Sequence, residues 1–278
     1  MNNNFLNKYL KLLKNNNFSY PEIELRYILN KSSKSKEDII LSNFNEDKID
    51  INLFKFSFFR RLKHEPIAKI FNKKFFWKYK FYVNANVLDP RPESELLIET
   101  IKKYYQNIYK KLKIIDMGTG TGCLAISLAK EYLNSKIIAT DISKKAIEVA
   151  KKNSLRLNTV NQIKFVNCNW FLKKEIYDIV VCNPPYLSFK DYEKASYEIK
   201  KYEPRLALLG GEDGLLEYKK IALKIRNILN YGTLCFFEIG CSQRHKIVNI
   251  FEEIGLKCID IIRDYQKYER VLVLNKTK

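Results

Sequence analysis

Short apolar segments alternate with helix-patterned segments from residue 93 to the end of the sequence. Strands are predicted over 114–117, 136–140, 163–166, 179–182, 233–239, 257–262 and 270–274. Amphipathic helices are predicted over 93–105, 123–132, 143–157, 214–229 and 246–254. Because alternating β and α units form a sheet with helices on both faces, the sequence predicts an α/β fold with a mostly parallel sheet.

The first quarter of the chain has helical periodicity without strands. Apolar residues such as Leu6, Tyr9 and Leu13 recur at helical spacing, and similar stripes begin near residues 23 and 53. An aromatic, alternating segment follows at 75–88, with Asn84-Ala85-Asn86 as its break. We therefore predict a small all-helical domain over 1–74, a β-hairpin linker over 75–92 and the α/β domain over 93–278.

Lysine carries most of the net charge of +19, with 40 Lys against 10 Arg. Specific phosphate and base contacts favour arginine, whose planar guanidinium presents a fork of donors. The lysines are spread over every segment rather than gathered in one block. The excess charge is therefore interpreted as a solvated surface, with a weak attraction to RNA as the alternative.

Cysteine and histidine usage argues against a metal centre. The six Cys contain no C-x-x-C pair, and the two His lie far apart without a carboxylate pattern. We predict no metal site and no His-based nucleophilic triad. Since no apolar run approaches the roughly 20 residues of a membrane helix and the N-terminus has no signal-like segment, a cytoplasmic protein without a membrane partner is expected.

A glycine-rich turn follows the strand predicted at 114–117. It reads Asp116-Met-Gly118-Thr119-Gly120-Thr121-Gly122. Glycine allows a tight turn and lets a ligand approach where a Cβ would collide. Asp141 ends the next strand, where an acid can accept hydrogen bonds from the ribose hydroxyls of an adenosine-containing cofactor. Both features fall at the carboxyl ends of strands, where open parallel sheets bind ligands.

The sequence Asn183-Pro184-Pro185-Tyr186 follows the apolar strand at 179–182. Neither proline has an N–H, so the backbone carbonyls there are left for other donors. The Asn183 side-chain oxygen and a nearby carbonyl together suit a planar –NH₂ group with two donors. Tyr186 can stack on that plane and exclude water. Fixing both hydrogens orients a poorly nucleophilic nitrogen for attack on an electrophile.

These motifs carry a family resemblance. The G-x-G-x-G spacing resembles motif I of class I S-adenosylmethionine-dependent methyltransferases, and N-P-P-Y resembles amino-methyltransferases. Further segments at 61–68, 88–95, 169–171, 202–204, 210–215 and 264–271 occur in the expected order. Together they resemble the peptide-chain release factor glutamine N(5)-methyltransferase family over nearly the full length.

The resemblance implies a class I methyltransferase Rossmann-like domain and a helical substrate-docking domain. It implies methyl transfer from S-adenosylmethionine to the glutamine amide of the Gly-Gly-Gln loop of class I release factors. It assigns the cofactor to Gly118, Thr119, Gly120, Thr121, Gly122, Asp141, Trp170 and Asn183. It assigns the substrate glutamine to Asn183, Pro184, Pro185 and Tyr186, with Asn183, Pro184 and Tyr186 catalytic.

Some positions stay open. Trp170 would flank the adenine, although without the resemblance a core tryptophan is the simpler interpretation. Arg91, Pro92 and Glu93 are expected near the site without an assigned role. His64 stands where the family usually has glycine.

Three alternative functions remain at this point. One is a ribosomal-protein glutamine methyltransferase, which shares N-P-P-Y. Another is a DNA or RNA amino-methyltransferase, which the net charge favours although no base-reading module is recognisable. A third is a non-catalytic basic module that binds RNA. For the function that the resemblance implies, the expected partner is a class I release factor, and no nucleic acid is required.

Overall fold

The computed structural model describes residues 4–35, 38–171 and 175–276. The chain divides into two compact units, Met1–Phe71 and Asn72–Lys278. Among the described residues, no helix is both long and apolar enough to cross a membrane.

Helices dominate the described part of the first unit. They are α1 (Asn4–Asn15), α2 (Pro21–Lys31), α3 (Ile51–Leu62) and α4 (Ile67–Phe71). Helix α3 begins where the Asp50 side chain accepts the N–H groups of Asn52 and Leu53, both at 3.0 Å. The apolar faces of the helices meet in a core that includes the fully buried Leu13 and Phe54. The helical periodicity of the sequence is thus realised in this unit.

A seven-stranded sheet organises the described part of the second unit. Its strands are β3 (Lys113–Met117), β4 (Lys136–Asp141), β5 (Ile163–Asn167), β6 (Ile179–Cys182), β7 (Leu234–Glu238), β8 (Leu256–Arg263) and β9 (Glu269–Lys276). They lie in the order β5-β4-β3-β6-β7-β9-β8. Strands β3 to β7 pair in parallel, and β9 runs antiparallel to β7 and β8. The predicted α/β fold with a mostly parallel sheet is confirmed.

Helices cover both faces of this sheet. The helices that pack on it are α5 (Glu95–Tyr104), α6 (Cys123–Glu131), α7 (Lys144–Arg156), α10 (Leu216–Ile225) and α11 (Arg244–Glu252). Two short helices, α8 (Phe189–Lys194) and α9 (Tyr197–Tyr202), lie in the connection between β6 and α10. Successive strand residues point to opposite faces. Ile114 therefore joins the apolar cluster that contains α5 and α6 residues, while Ile115 joins the cluster that contains α10 and α11 residues.

The hairpin lies inside the second unit, whereas the sequence predicted it as a linker. Strands β1 (Lys74–Phe76) and β2 (Tyr79–Phe81) pair antiparallel around a turn at Trp77-Lys78. The break predicted at 84–86 is a separate turn after β2 and is not the turn of the hairpin. Trp77 takes a left-handed φ of 55°. Its backbone N–H donates to Glu95 Oε1 at 2.8 Å and its indole N–H to Glu131 Oε1 at 2.7 Å. These distant carboxylates stabilise a turn that the local sequence does not favour.

Glu131 is a hub for this region. It also accepts hydrogen bonds from Lys78 at 2.6 Å and from Lys102 at 2.5 Å. Burial alone would raise the pKa of its carboxyl, but the hydrogen bonds from Lys102, Lys78 and the indole lower that pKa to about 2.

Helices α8 and α9 were not predicted from the sequence. Each has six residues, too few for an apolar stripe to repeat. Ser188 and Ser196 cap them by accepting the N–H groups of Asp191 and Ile199. Both helices lie in the connection that follows N-P-P-Y.

Candidate active site

The glycine-rich loop leaves β3 and runs to the start of α6. Gly118, Gly120 and Gly122 have left-handed φ values of 75°, 55° and 79°. The N–H groups of Gly118 and Thr119 donate to the Thr140 carbonyl, at 2.9 and 2.8 Å. These bonds tie the loop to the end of β4, because β3 and β4 are neighbours in the sheet.

Asp116, on the strand that precedes the loop, holds the loop through hydrogen bonds. Its buried carboxyl accepts the Thr119 hydroxyl at 2.6 Å and the Ala125 N–H at 3.2 Å. Burial raises the pKa of this carboxyl to about 7, against the lowering effect of those two hydrogen bonds. Asp116 therefore shapes the turn from inside the protein.

Asn153 on α7 holds the loop from the other side. Its carboxamide accepts the Tyr82 N–H at 2.7 Å and donates to the carbonyls of Tyr82 and Thr121, both at 2.9 Å. One buried side chain thereby joins the segment after the hairpin to the glycine-rich loop.

Asp141 closes the loop at the end of β4. Its Oδ2 accepts the Gly120 N–H at 2.9 Å and its Oδ1 accepts the Ser143 N–H at 2.8 Å. Burial raises the pKa of this carboxyl, and the two N–H groups oppose the rise.

The ring of Trp170 packs against the loop. A Cβ built on Gly118 would lie 3.2 Å from Cζ3 of this ring, so glycine at 118 permits their close approach. The Trp170 carbonyl accepts the Thr140 hydroxyl at 2.9 Å, and the indole N–H donates to Glu217 Oε2 at 3.1 Å. Trp170 has a left-handed φ of 67°. These contacts hold the indole beside the cavity described below.

Asn183 follows β6, the neighbour of β3 on the other side. Its Nδ2 donates to Ser94 Oγ at 2.9 Å. Ser94 donates in turn to Glu238 Oε2 at 2.5 Å, and the Tyr186 hydroxyl donates to Glu238 Oε1 at 3.2 Å. Within the described residues, neither Asn183 Oδ1 nor the Pro184 carbonyl has a hydrogen-bond partner. Two acceptors are therefore left at this position.

The glycines at 210–214 pack on the backbone of N-P-P-Y. A Cβ on Gly210 would lie 2.6 Å from the Pro185 carbonyl oxygen, and a Cβ on Gly214 would collide with the Tyr186 carbonyl oxygen. Gln243 Nε2 also donates to the Tyr186 carbonyl at 2.9 Å. The chain after Asn183 is thus held by close backbone contact that only glycine permits.

A cavity of about 230 Å³ joins these features. The predicted residues that line it are Gly118, Thr119, Gly120, Thr121, Asp141, Trp170, Asn183 and Pro185. Three predicted residues are not among its lining residues. Gly122 packs against Ile126 and Ala150, Pro184 is buried, and the Tyr186 hydroxyl is directed to Glu238.

A relative from Clostridium acetobutylicum, named release factor glutamine methyltransferase, is 35% identical to this chain and is matched over 91% of the chain and 89% of the relative. This chain belongs to the release factor glutamine methyltransferase family. A family model described as a methyltransferase small domain matches residues 85–201 of this family member. That match includes the glycine-rich loop and N-P-P-Y.

Two further comparisons concern length and fold. A bifunctional methyltransferase from Rickettsia typhi is 37% identical over 92% of this chain but only 53% of its own length, so the chain spans about half of that relative. A methyltransferase structure from Pyrococcus furiosus aligns with a TM-score of 0.54 and 19% identity, over 79% of this chain and 97% of that one. This second likeness shows the class I methyltransferase fold.

Several residues of this family member's site were missed by sequence reasoning. Ser94 and Glu238 contact Asn183 and Tyr186 as described above. Glu203, whose side chain is 2% exposed, accepts the Arg91 guanidinium at 2.9 Å and the Asp89 N–H at 3.2 Å. Arg91 and Asp89 line the cavity, so the role left open for Arg91 includes an ion pair to Glu203. The segments at 88–95 and 202–204, which carry the resemblance, were the available signal.

Proposed function

We propose that this chain transfers a methyl group from S-adenosylmethionine to the side-chain amide nitrogen of the glutamine in the Gly-Gly-Gln loop of class I release factors. The observation that carries the proposal is the pair of acceptors at Asn183 Oδ1 and the Pro184 carbonyl. Asn183 lines the same cavity as the glycine-rich loop and Asp141. The names of the relatives support the choice of glutamine as substrate. A release factor substrate implies a cytoplasmic enzyme, as the sequence predicts.

The cavity suits the proposed cofactor. A Cβ on Gly120 would meet no atom within 4 Å, so this lining residue borders open space. We propose that Gly118 to Gly122 hold S-adenosylmethionine through the backbone, that Asp141 accepts its ribose hydroxyls, and that Trp170 flanks its adenine. When bound, the cofactor supplies a methyl group attached to a positively charged sulfur, and the sulfur becomes a neutral thioether once the methyl group is transferred.

Asn183 and Pro184 act on the substrate. An amide nitrogen is a poor nucleophile because its lone pair is delocalised into the carbonyl. Asn183 Oδ1 and the Pro184 carbonyl each accept one hydrogen of the –NH₂ group and so fix its direction. Such positioning can lower a barrier by roughly 7–11 kcal/mol. The same two oxygens stabilise positive charge as it develops on nitrogen, and one proton then leaves for water.

Tyr186 and the helical unit complete the proposal. The Tyr186 ring is held through its hydroxyl and its carbonyl, and we propose that it stacks on the amide plane. In the helical unit, α3 exposes Leu53, Phe56 and Phe59 at three-residue spacing, which places them along one side of the helix. We propose that this unit docks the release factor.

Incubation with labelled S-adenosylmethionine and a class I release factor tests the proposal. We expect label on the Gly-Gly-Gln peptide, and more than tenfold slower transfer by Asn183→Ala with cofactor affinity largely retained. The exposed Asn134→Ala variant serves as the matched control. A ribosomal protein and RNA are offered in parallel reactions. Absence of label from a protein that binds the cofactor, or preferential transfer to RNA or ribosomal protein, would contradict the proposal.

Asp141→Ala tests the cofactor assignment separately. Because the carboxylate is proposed to bind ribose, its loss should raise the cofactor dissociation constant by at least tenfold, or about 1.4 kcal/mol. Isothermal titration calorimetry measures this constant. An unchanged value would show that Asp141 only closes the loop.

A further inference from the structure

A chain of hydrogen bonds lies behind Asn183 and reaches a buried carboxyl. Asn183 donates to Ser94, and Ser94 donates to Glu238 over 2.5 Å. Ser94 is 3% exposed and Glu238 is 1% exposed, so water does not compete for these bonds. Tyr186 donates to the second oxygen of the same carboxyl. One carboxyl therefore contacts both polar side chains of N-P-P-Y, through Ser94 on one side and directly on the other.

The number of hydrogens in this chain sets the direction of each bond. A serine hydroxyl has one hydrogen to donate. Because Ser94 gives that hydrogen to Glu238, its oxygen can only accept from Asn183, which must present its –NH₂ end. Asn183 Oδ1 is then the end left for a substrate. With no acceptor at Glu238, the Ser94 hydroxyl could rotate and donate to Asn183 Oδ1, and the carboxamide would turn over.

A reversed carboxamide would fail in the proposed reaction. It would offer –NH₂ to the substrate –NH₂, so two donors would face each other without an acceptor. The glutamine would lose one of its two fixed hydrogens, and its nitrogen would lose its orientation. The direction of the Asn183 carboxamide is thus as important as its position.

The protonation of Glu238 bears on this arrangement. Burial raises the pKa of the Glu238 carboxyl to about 7, while the hydrogen bonds from Ser94 and Tyr186 and the charge of Arg270 oppose the rise. The ionisable groups that act on it are Glu93 before α5, Cys123 on α6, Cys182 on β6, Tyr186 after β6, Tyr218 on α10 and Arg270 on β9. A protonated carboxyl carries a hydrogen of its own and no longer accepts from both hydroxyls.

We propose that Ser94 and Glu238 are positioning residues that determine which end of the Asn183 carboxamide faces the substrate. This inference rests on the proposed function for its kinetic consequence. The orientation of Asn183 itself is a structural property and is independent of which substrate is methylated.

The kinetic test compares Ser94→Ala, Ser94→Thr and Glu238→Gln with the wild type. Ser94→Ala should lower kcat at least tenfold and change the dissociation constant of S-adenosylmethionine less than twofold. Ser94→Thr keeps the hydroxyl and should recover kcat to within about threefold. The control is Ser127→Ala on α6, which removes another buried hydroxyl and should leave kcat unchanged.

A pH profile separates positioning from simple packing. Wild-type kcat should fall as the pH decreases through about 7, because Glu238 then gains a proton. Glu238→Gln should lose this dependence, since an amide does not titrate in that range. A Ser94→Ala variant as active as Ser127→Ala, or a pH profile shared by the wild type and Glu238→Gln, would overturn the proposal.

Neutron crystal structures of the wild type and Ser94→Ala, in which the nitrogen and oxygen of the Asn183 carboxamide can be told apart, provide a readout without substrate. We expect one Asn183 side-chain conformation in the wild type and a changed or multiple conformation in the variant. An identical Asn183 conformation in both would overturn the positioning role even if the enzyme methylates release factor. A changed conformation in a protein that does not label release factor would instead retain the positioning role and refute the proposed substrate.

Discussion

Alanine substitution at each glycine of the loop after β3 separates backbone strain from steric contact. All three glycines have left-handed φ values, so each alanine should cost about 1–2 kcal/mol in free energy of unfolding. Their surroundings differ. A Cβ on Gly122 would lie 3.0 Å from Ile126 Cδ1 and 3.2 Å from Ala150 Cβ, whereas a Cβ on Gly120 would meet nothing within 4 Å.

These distances predict a different loss in free energy of unfolding for each alanine variant. Overpacking between two helices adds about 1–3 kcal/mol, so Gly122→Ala should lose about 2–5 kcal/mol of stability. Gly120→Ala should lose only the strain, about 1–2 kcal/mol. Gly118→Ala should fall between them, since its Cβ would approach the Trp170 ring at 3.2 Å and that ring can shift.

Cofactor binding should show a different order. The methyl of Gly120→Ala occupies the space that we assign to S-adenosylmethionine, so the dissociation constant should rise at least tenfold, or about 1.4 kcal/mol. Urea unfolding without cofactor and calorimetric titration with it measure the two effects. Wild-type affinity in Gly120→Ala would refute the close approach of a ligand to this loop. Equal destabilisation in Gly120→Ala and Gly122→Ala would refute the packing argument.

Three further predictions concern stability. Asn153→Ala should lower the free energy of unfolding by about 2–4 kcal/mol, because it leaves three buried or partly buried backbone groups without their partner. A loss no larger than in the exposed Asn134→Ala control, measured by urea unfolding, would contradict this. Glu131→Gln should cost about 1.5–3 kcal/mol at pH 7, because it removes a charged acceptor of three hydrogen bonds. Its depressed pKa means that this contribution is lost as the pH falls towards about 2, and the exposed Glu148→Gln should show neither effect. Glu238 has a raised pKa, so its carboxyl favours folding at low pH and less so as the pH rises from about 4.5 to about 7. Glu238→Gln should therefore gain stability relative to the wild type, by up to about 3 kcal/mol, between pH 5 and pH 8, and a pH-independent difference in urea midpoints would refute it.

Local patterns were sufficient for the sheet. The buried strands are continuous apolar runs, such as 179–182. Capping residues and glycines in the sequence mark where the helices between them begin and end. The hairpin turn was misplaced because Trp77 has a left-handed φ, and its two N–H groups donate to Glu95 and Glu131, which are distant in sequence. Asparagine is common in turns, and two of the three residues at 84–86 are asparagine, so the turn was predicted there.

Long-range contacts explain what sequence reasoning missed at the site. Ser94 and Glu238 are 144 residues apart and meet only because α5 packs on the sheet. A polar residue at the end of a buried strand, as Glu238 is, was the available signal. His64 shows the reverse case. The structure gives it a left-handed φ of 62°, a conformation that favours glycine, which is the residue that the resemblance leads one to expect at this position.

The central claim is that a glutamine amide is held by Asn183 Oδ1 and the Pro184 carbonyl. A crystal structure of the protein with S-adenosylhomocysteine and a Gly-Gly-Gln peptide tests it directly. We predict that the amide nitrogen lies about 2.7–3.2 Å from both oxygens. We also predict that the cofactor sulfur lies on the face of the amide plane opposite the Tyr186 ring. An amide bound elsewhere, or an Asn183 that presents its –NH₂ group to the peptide, would contradict the account.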